Sequence, residues 1–287
     1  MSAETVPPVP RVPRLARVAA EPGVGKPDPI LVADDVTKTF GGLHAVRVSR
    51  LEVQRGAITA LIGPIGAGKT TLFNLLTGFD RADSGNWSFE GRSMAGLPAH
   101  RIARAGLVRT FQLTKSLTLL TVLENLKLGG SKQAGERFFT ALVHPLWRAR
   151  EESIERLADD MLARFQLDRM RDEFAGTLSG GQRKLLELAR ALMVQPTMIM
   201  LDEPTAGVNP ALTQSLLRHI QQLRDEGMTI LFVEHDMDVV MGISDWVVCM
   251  AEGRVIAEGP PTSIGSNRAV VDAYLGAHHG RRAGDED

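Results

Sequence analysis

At 287 residues with 44% hydrophobic content, the chain is long enough to bury the core of one sizeable α/β domain with appended pieces. Its 33 basic and 34 acidic residues leave a net charge of -1, so nothing in the charge balance points to nucleic acid, and its single cysteine, Cys249, can form no intrachain disulfide and suits a reducing, cytosolic setting. No run reaches the roughly 18 to 20 uninterrupted apolar residues of a membrane-spanning helix, so membrane contact is expected to pass through a partner.

Residues 1–29, rich in proline and without an apolar core of signal-peptide length, read as a disordered tail, and residues 277–287 as a second. Between them, residues 30–276 read as one domain. β-type runs fall at Ile30 to Val36, Ala45 to Val53 and Ala57 to Ile62. The third is almost wholly apolar, the mark of a strand covered on both faces, and a Gly-rich loop and the apolar helix Leu72 to Leu76 follow at once. Residues 114–177 read as a helical insertion, because Ile154, Leu157, Ala158, Met161, Leu162 and Phe165 recur at helical spacing. Beyond it come an amphipathic helix carrying Leu185, Leu188, Ala189 and Leu192, then the apolar strands Met198 to Leu201 and Thr229 to Val233. Trp246 to Met250 and Arg254 to Glu258 flank the turn Glu252-Gly253 as a hairpin.

GPIGAGKTT, Gly63 to Thr71, contains G-x-x-x-x-G-K-[ST] directly after an apolar strand and before a helix, the setting this phosphate-binding motif requires. A random chain of this length would show the pattern on the order of once in a hundred. Gly63, Gly66 and Gly68, with Pro64, Ile65 and Ala67 between them, let main-chain N–H groups close around phosphate oxygens, and the helix start adds positive partial charge. Lys69 is placed to reach the β- and γ-phosphates and the Thr70 hydroxyl to take Mg²⁺, and Thr71, next after the motif, joins them as a nucleotide-binding residue. The other reading of Lys69 is a surface lysine in a tight turn.

MIMLDEP puts Asp202 and Glu203 at the end of an apolar strand, where the crevice of a parallel sheet meets its ligands. There Asp202 would hold Mg²⁺ and Glu203 would polarise the water that attacks the γ-phosphate. His235 follows the strand of TILFVEHD and should emerge at the same sheet edge, its imidazole aimed at a γ-phosphate oxygen. A loop or capping role for His235 stays open, whereas alternating side-chain directions disfavour a shared metal with its neighbours Glu234 and Asp236.

LSGGQRKLLELARALM, Leu178 to Met193, resembles the signature segment of the ABC ATPase family, and its distance ahead of LDEP matches that family's layout. At this helix start Ser179, Gly180 and Gly181, followed by Gln182, offer a hydroxyl, N–H groups and a positive dipole to an anion, although Ser179 also suits a plain N-cap. The resemblance covers roughly Ile30 to Gly276 and implies a P-loop NTPase fold with a mainly parallel sheet core, an antiparallel β subdomain and a helical subdomain. It implies that two ATPase subunits, alike or different, pair head to tail so that the LSGGQ of each closes over ATP bound by the other. It also places Phe40 of KTFGG against adenine and Gln112 of VRTFQ at Mg²⁺ or the attacking water, residues that alone would read as core and as surface.

KTFGGLHAV, LTVLENLKLG, EHDMDVVMGISD and the closing AYLG are similar to the ATPases of branched-chain amino acid importers. That likeness implies an ATPase at the cytoplasmic face of the membrane, bound to permease subunits and served indirectly by a periplasmic or extracellular solute-binding protein. The alternatives are a ribosome- or DNA-associated soluble ABC ATPase and a weakly hydrolysing regulatory subunit. Two residues depart from the family pattern: Ile65, where Asn is usual, and Asn209, where many members have Asp.

Overall fold

The computed structural model describes residues 15–110, 117–130 and 144–279. Gln112 and the outer parts of both expected tails, 1–14 and 280–287, lie outside these residues. The chain forms two compact units: one of residues 1–107, 197–204 and 220–287, the other of 108–196 and 205–219. The second unit is wider than the expected insertion, because it also takes in the LSGGQ helix and the start of the helix after LDEP.

The first unit begins with two long antiparallel strands, β1 (Pro29–Phe40) and β2 (Leu43–Gln54), followed by β3 (Ile58–Ile62) and helix α1 (Lys69–Leu76). β4 (Ser84–Phe89) pairs with β1, β5 (Arg92–Ser93) pairs with β4, and α2 (Ala99–Arg104) leads to β6 (Leu107–Arg109). In the second unit lie α3 (Val122–Gly129), α4 (His144–Arg164) and α5 (Gly180–Leu192). The chain then returns through β7 (Met198–Asp202), α6 (Pro210–Asp225), β8 (Thr229–Val233), α7 (Met237–Ile243), β9 (Trp246–Ala251), β10 (Arg254–Gly259), α8 (Pro261–Ile264) and α9 (Arg268–His279), which runs on into the expected second tail.

One sheet is antiparallel, in the order β2-β1-β4-β5; the other runs β10-β9-β3-β8-β7-β6. In the latter β3 is parallel to both β8 and β9, and β7 is parallel to β8, while β10 closes antiparallel on β9. Every residue of β3 and β8 is buried, as expected of central strands covered on both faces. One apolar core joins both sheets to α1, with Phe73, Trp87, Phe89, Leu231 and Trp246 among its buried members. Because β3, β8 and β7 are neighbours running in one direction, their carboxyl ends share a sheet edge, the place where open α/β sheets bind ligands.

In the second unit the helical spacing of α4 translates into burial, with Ala158, Leu162 and Phe165 all but inaccessible. α3 starts with a reciprocal capping box between Thr121 and Glu124. Arg171 gathers Glu155, Asp159 and Asp172, which hold its guanidinium charged.

The first expected tail is shorter than the sequence suggested. Leu15 is buried, and the segment that follows packs through a salt bridge 2.7 Å long between Lys26 Nζ and Glu258 Oε2, both side chains shielded from solvent. The same Glu258 accepts N–H groups from Gly23 at 2.6 Å and Val24 at 3.2 Å and the Trp246 indole at 2.8 Å, and the Lys26 ammonium sits 4.7 Å above the Trp246 ring. A proline-rich composition therefore hides an anchor whose partner lies 232 residues away. Removing one member of so buried a pair leaves the other uncompensated: Lys26→Met is expected to cost roughly 3 to 5 kcal/mol in urea unfolding, with part regained in Lys26→Met/Glu258→Gln. A loss below about 1 kcal/mol would mean that this segment is not anchored by the pair.

Candidate functional site

The loop from Gly63 to Gly68 connects β3 to α1 and takes its shape from close main-chain packing. Gly63 has φ +146° and Gly68 φ +95°, in the region L side chains rarely enter. A Cβ on Gly63 would collide with the Met250 carbonyl of β9, and one on Gly68 with the Ala45 carbonyl of β2. The β9–β10 turn braces the loop, since Gly253 N–H donates to Ala67 O at 3.1 Å and Gly253 O accepts Arg47 N–H at 2.7 Å.

Lys69, the first residue of α1, is buried and donates its ammonium to the carbonyls of Gly63 at 2.6 Å and Pro64 at 2.9 Å. Burial depresses its pKa, against the opposing pull of Glu203, Cys249 and Asp202. The acidic strand end and the lysine are therefore within electrostatic reach of each other. Beside the loop, the first unit holds a cleft of about 740 Å³ lined by Phe40, His44, Arg47, Gly68, Thr70 and Thr71 among others, a volume suited to a nucleotide. Phe40 is 49% exposed at the end of β1, with the Lys38 ammonium 5.1 Å over its ring, so it is a cleft residue rather than a core one.

At the edge where β7 and β8 end, Glu203 N–H donates to Val233 O at 3.0 Å, and the backbone turns through φ +45° at Glu203 itself. A left-handed conformation at a non-glycine residue is a local strain that this turn sustains. It brings the Glu203 carboxylate to 2.9 Å from His235 Nε2. A carboxylate only accepts, so His235 presents Nε2–H to it. The backbone N–H of His235 in turn donates to the buried Glu234 at 2.9 Å. Asp202 ends β7, opposite Val233 of β8.

LSGGQ lies in the second unit. Ser179 caps α5 with a reciprocal box: its hydroxyl accepts Gln182 N–H at 3.3 Å, and Gln182 Oε1 accepts Ser179 N–H at 2.9 Å. The capping reading of Ser179 is thus realised, with Gln182 as its counterpart, and the box does not involve the N–H groups of Gly180 and Gly181. Gly181 abuts Leu212 of α6 so closely that a Cβ would strike it. Asn209 caps α6, its Oδ1 accepting Leu212 N–H at 3.0 Å, a role that Asp performs equally well. Ile65 is 77% exposed in the phosphate loop.

Two contacts had no signal in the local sequence. The hydroxyl of Tyr274 in α9 accepts Gly63 N–H at 3.0 Å, and Glu203 and His235 form a pair rather than two separate groups. Among the described residues no group of three or more His, Cys, Asp or Glu forms a metal cage. The oxygen donors at hand, Thr70 and Asp202, suit Mg²⁺, which takes few protein ligands when phosphates supply the rest.

A family model described as ABC transporter matches residues 46–206, and one described as branched-chain amino acid ATP-binding cassette transporter matches residues 254–280. The chain is 44% identical over 248 residues to the probable branched-chain amino acid transport ATP-binding protein LivG of Archaeoglobus fulgidus, covering 86% of this chain and 96% of that one. It is 42% identical over 250 residues to the high-affinity branched-chain amino acid transport ATP-binding protein BraF of Pseudomonas aeruginosa, covering 86% and 98%. Among solved structures, a nucleotide-free ATP-binding cassette from an ABC transporter superposes with TM-score 0.76 at 38% identity, over 86% of this chain and 98% of that one. An ADP-bound conformation of such a cassette gives TM-score 0.76 at 37% identity, over 86% and 99%. The chain belongs to the ABC transporter family, as one of its ATP-binding, ATP-hydrolysing subunits.

Proposed function

We propose that the chain energises import of branched-chain amino acids or a related small solute through partner permease subunits, held by them at the cytoplasmic face of the membrane. The names of its relatives support transport rather than the ribosome- or DNA-associated alternative. For the chemistry, the carrying observation is the Glu203–His235 pair at 2.9 Å on the sheet edge that also bears Lys69.

In this reading Phe40 stacks on adenine, and the main chain of Gly63 to Thr71 cradles the phosphates. Lys69 exchanges its two carbonyl partners for phosphate oxygens, and its positive charge offsets the charge spreading over the γ-phosphoryl group. Glu203 accepts hydrogen bonding from the attacking water, and His235 orients that carboxylate while facing the γ-phosphate. Thr70 and Asp202 would hold Mg²⁺, which would offset part of the phosphate charge; Gln112 is assigned beside them by the family pattern alone. A second ATPase subunit contributes Ser179 to Gln182 to the γ-phosphate, and the exposed Ile65 would face it. Hydrolysis then reopens the pair.

The test is ATP turnover of the chain assembled in proteoliposomes with its permeases and the loaded solute-binding protein. Stimulation by leucine-, isoleucine- or valine-loaded binding protein is expected; turnover indifferent to any loaded binding protein would count against the transport role.

A further inference from the structure

Gly63 is held from both sides. Its carbonyl accepts the Lys69 ammonium at 2.6 Å, and its N–H donates to the Tyr274 hydroxyl at 3.0 Å. These two contacts grip the peptide groups on either side of a single Cα, one fixed at φ +146° and crowded by the Met250 carbonyl. Lys69 is spoken for by the nucleotide in the reading above. Tyr274 is not: it belongs to the last helix, α9, in the segment 254–280 matched by the branched-chain cassette model.

α9 presents one side to the domain. Val270 is buried and Tyr274 half-buried one turn further on, whereas Val271 and Leu275 face outward. Burial raises the Tyr274 pKa, with the Cys249 side chain adding to the shift and the Gly63 N–H opposing it, so the phenol is neutral at physiological pH. It is the sole tyrosine of the chain. In this position a phenylalanine would fill the same space but leave the Gly63 N–H without its acceptor.

We propose that Tyr274 is a positioning residue for nucleotide binding: through Gly63 it fixes the entry to the phosphate loop, and it thereby ties the docking of α9 to the affinity of the site for ATP. A loop already set in its phosphate-binding shape spends less of the interaction on ordering itself. The clamp acts on the main chain before the nucleotide arrives and touches no reacting atom, so its loss falls on binding rather than on the chemical step. The inference rests on the phosphate-loop reading of Gly63 to Thr71.

The experiment is steady-state ATP hydrolysis and thermal unfolding of Tyr274→Phe and Tyr274→Ala, with Lys69→Ala alongside in a nucleotide-binding assay. Tyr274→Phe is expected to raise KM for ATP about 2- to 10-fold, the loss of one hydrogen bond, with kcat within about 2-fold and at most a small fall in Tm. Tyr274→Ala is expected to add a lower Tm as the packing of the ring is lost. An unchanged KM in Tyr274→Phe, or a KM change that only tracks a fall in Tm, would overturn the positioning role. Retained ATP affinity in Lys69→Ala would instead remove the phosphate-loop reading itself, so the two failures are told apart.

Discussion

Replacing Glu203 by Gln is expected to lower ATP turnover by about 10²- to 10⁴-fold while ATP affinity stays within a few-fold of the parent chain. The size follows from the role: a carboxylate that polarises the attacking water contributes to the transition state and little to the ground state. Gln is isosteric and keeps an oxygen to accept from His235 Nε2–H, so the 2.9 Å contact and the turn at φ +45° should survive. The variant should then hold ATP without consuming it and accumulate as an ATP-dependent dimer in size-exclusion chromatography. Turnover close to that of the parent would remove Glu203 as the base, and equal loss of ATP affinity would make its contribution one of binding.

Replacing Lys69 by Ala removes the charge that faces the phosphates, and ATP affinity is expected to fall by about 10²- to 10³-fold, which calorimetry reads as no measurable binding. A second substitution at Lys69 separates function from stability. Burial lowers the pKa of Lys69, so the ammonium is a cost to the folded chain, and Lys69→Met, which retains most of the packing, is expected to leave Tm unchanged or raised. The pH dependence has a definite sign. Below the depressed folded pKa both states carry the proton; between it and the ordinary value of 10.5 only the unfolded chain does, and stability from this site rises with pH through that window and is complete above 10.5. ATP affinity moves oppositely, falling as the folded lysine loses its proton. A Lys69→Met chain whose stability still followed pH in the same way would show that another group titrates there.

Three of the site's side chains are readable in the sequence because strand patterning fixes where a residue emerges. MIML and TILFV are continuous apolar runs, and the residues after them, Asp202, Glu203 and His235, must leave the sheet at one edge once both strands run parallel. What patterning could not supply is distance. The Glu203–His235 contact depends on a left-handed turn at Glu203, a backbone choice with no signal in the residue types. Ser179 poses the reverse problem, with two readings that both suit a serine at a helix start; the capping box takes up the Gln182 N–H and does not involve the N–H groups of Gly180 and Gly181.

The segment from Leu15 to Pro29 has the composition of a tail yet is held to the domain through Leu15 and Lys26. Tail-like composition is a statement about local propensity, and Lys26 is ordered by a carboxylate and an indole far along the chain. Tyr274 escaped in the same way, as one aromatic residue in a short closing helix whose partner is a main-chain N–H at the other end of the domain. β4 and β5 form on strand pairing, as the match of Trp87 to Ala33 and Phe89 to Leu31 across β1 illustrates.

Phosphate release from ATP by the purified chain, measured side by side for the parent, Lys69→Ala and Glu203→Gln, is the most direct test of an ATPase built on this sheet edge. Turnover in the parent that vanishes in both variants, with nucleotide still bound by Glu203→Gln alone, is the expected result. Turnover that persists in Glu203→Gln, or ATP binding that persists in Lys69→Ala, would contradict it.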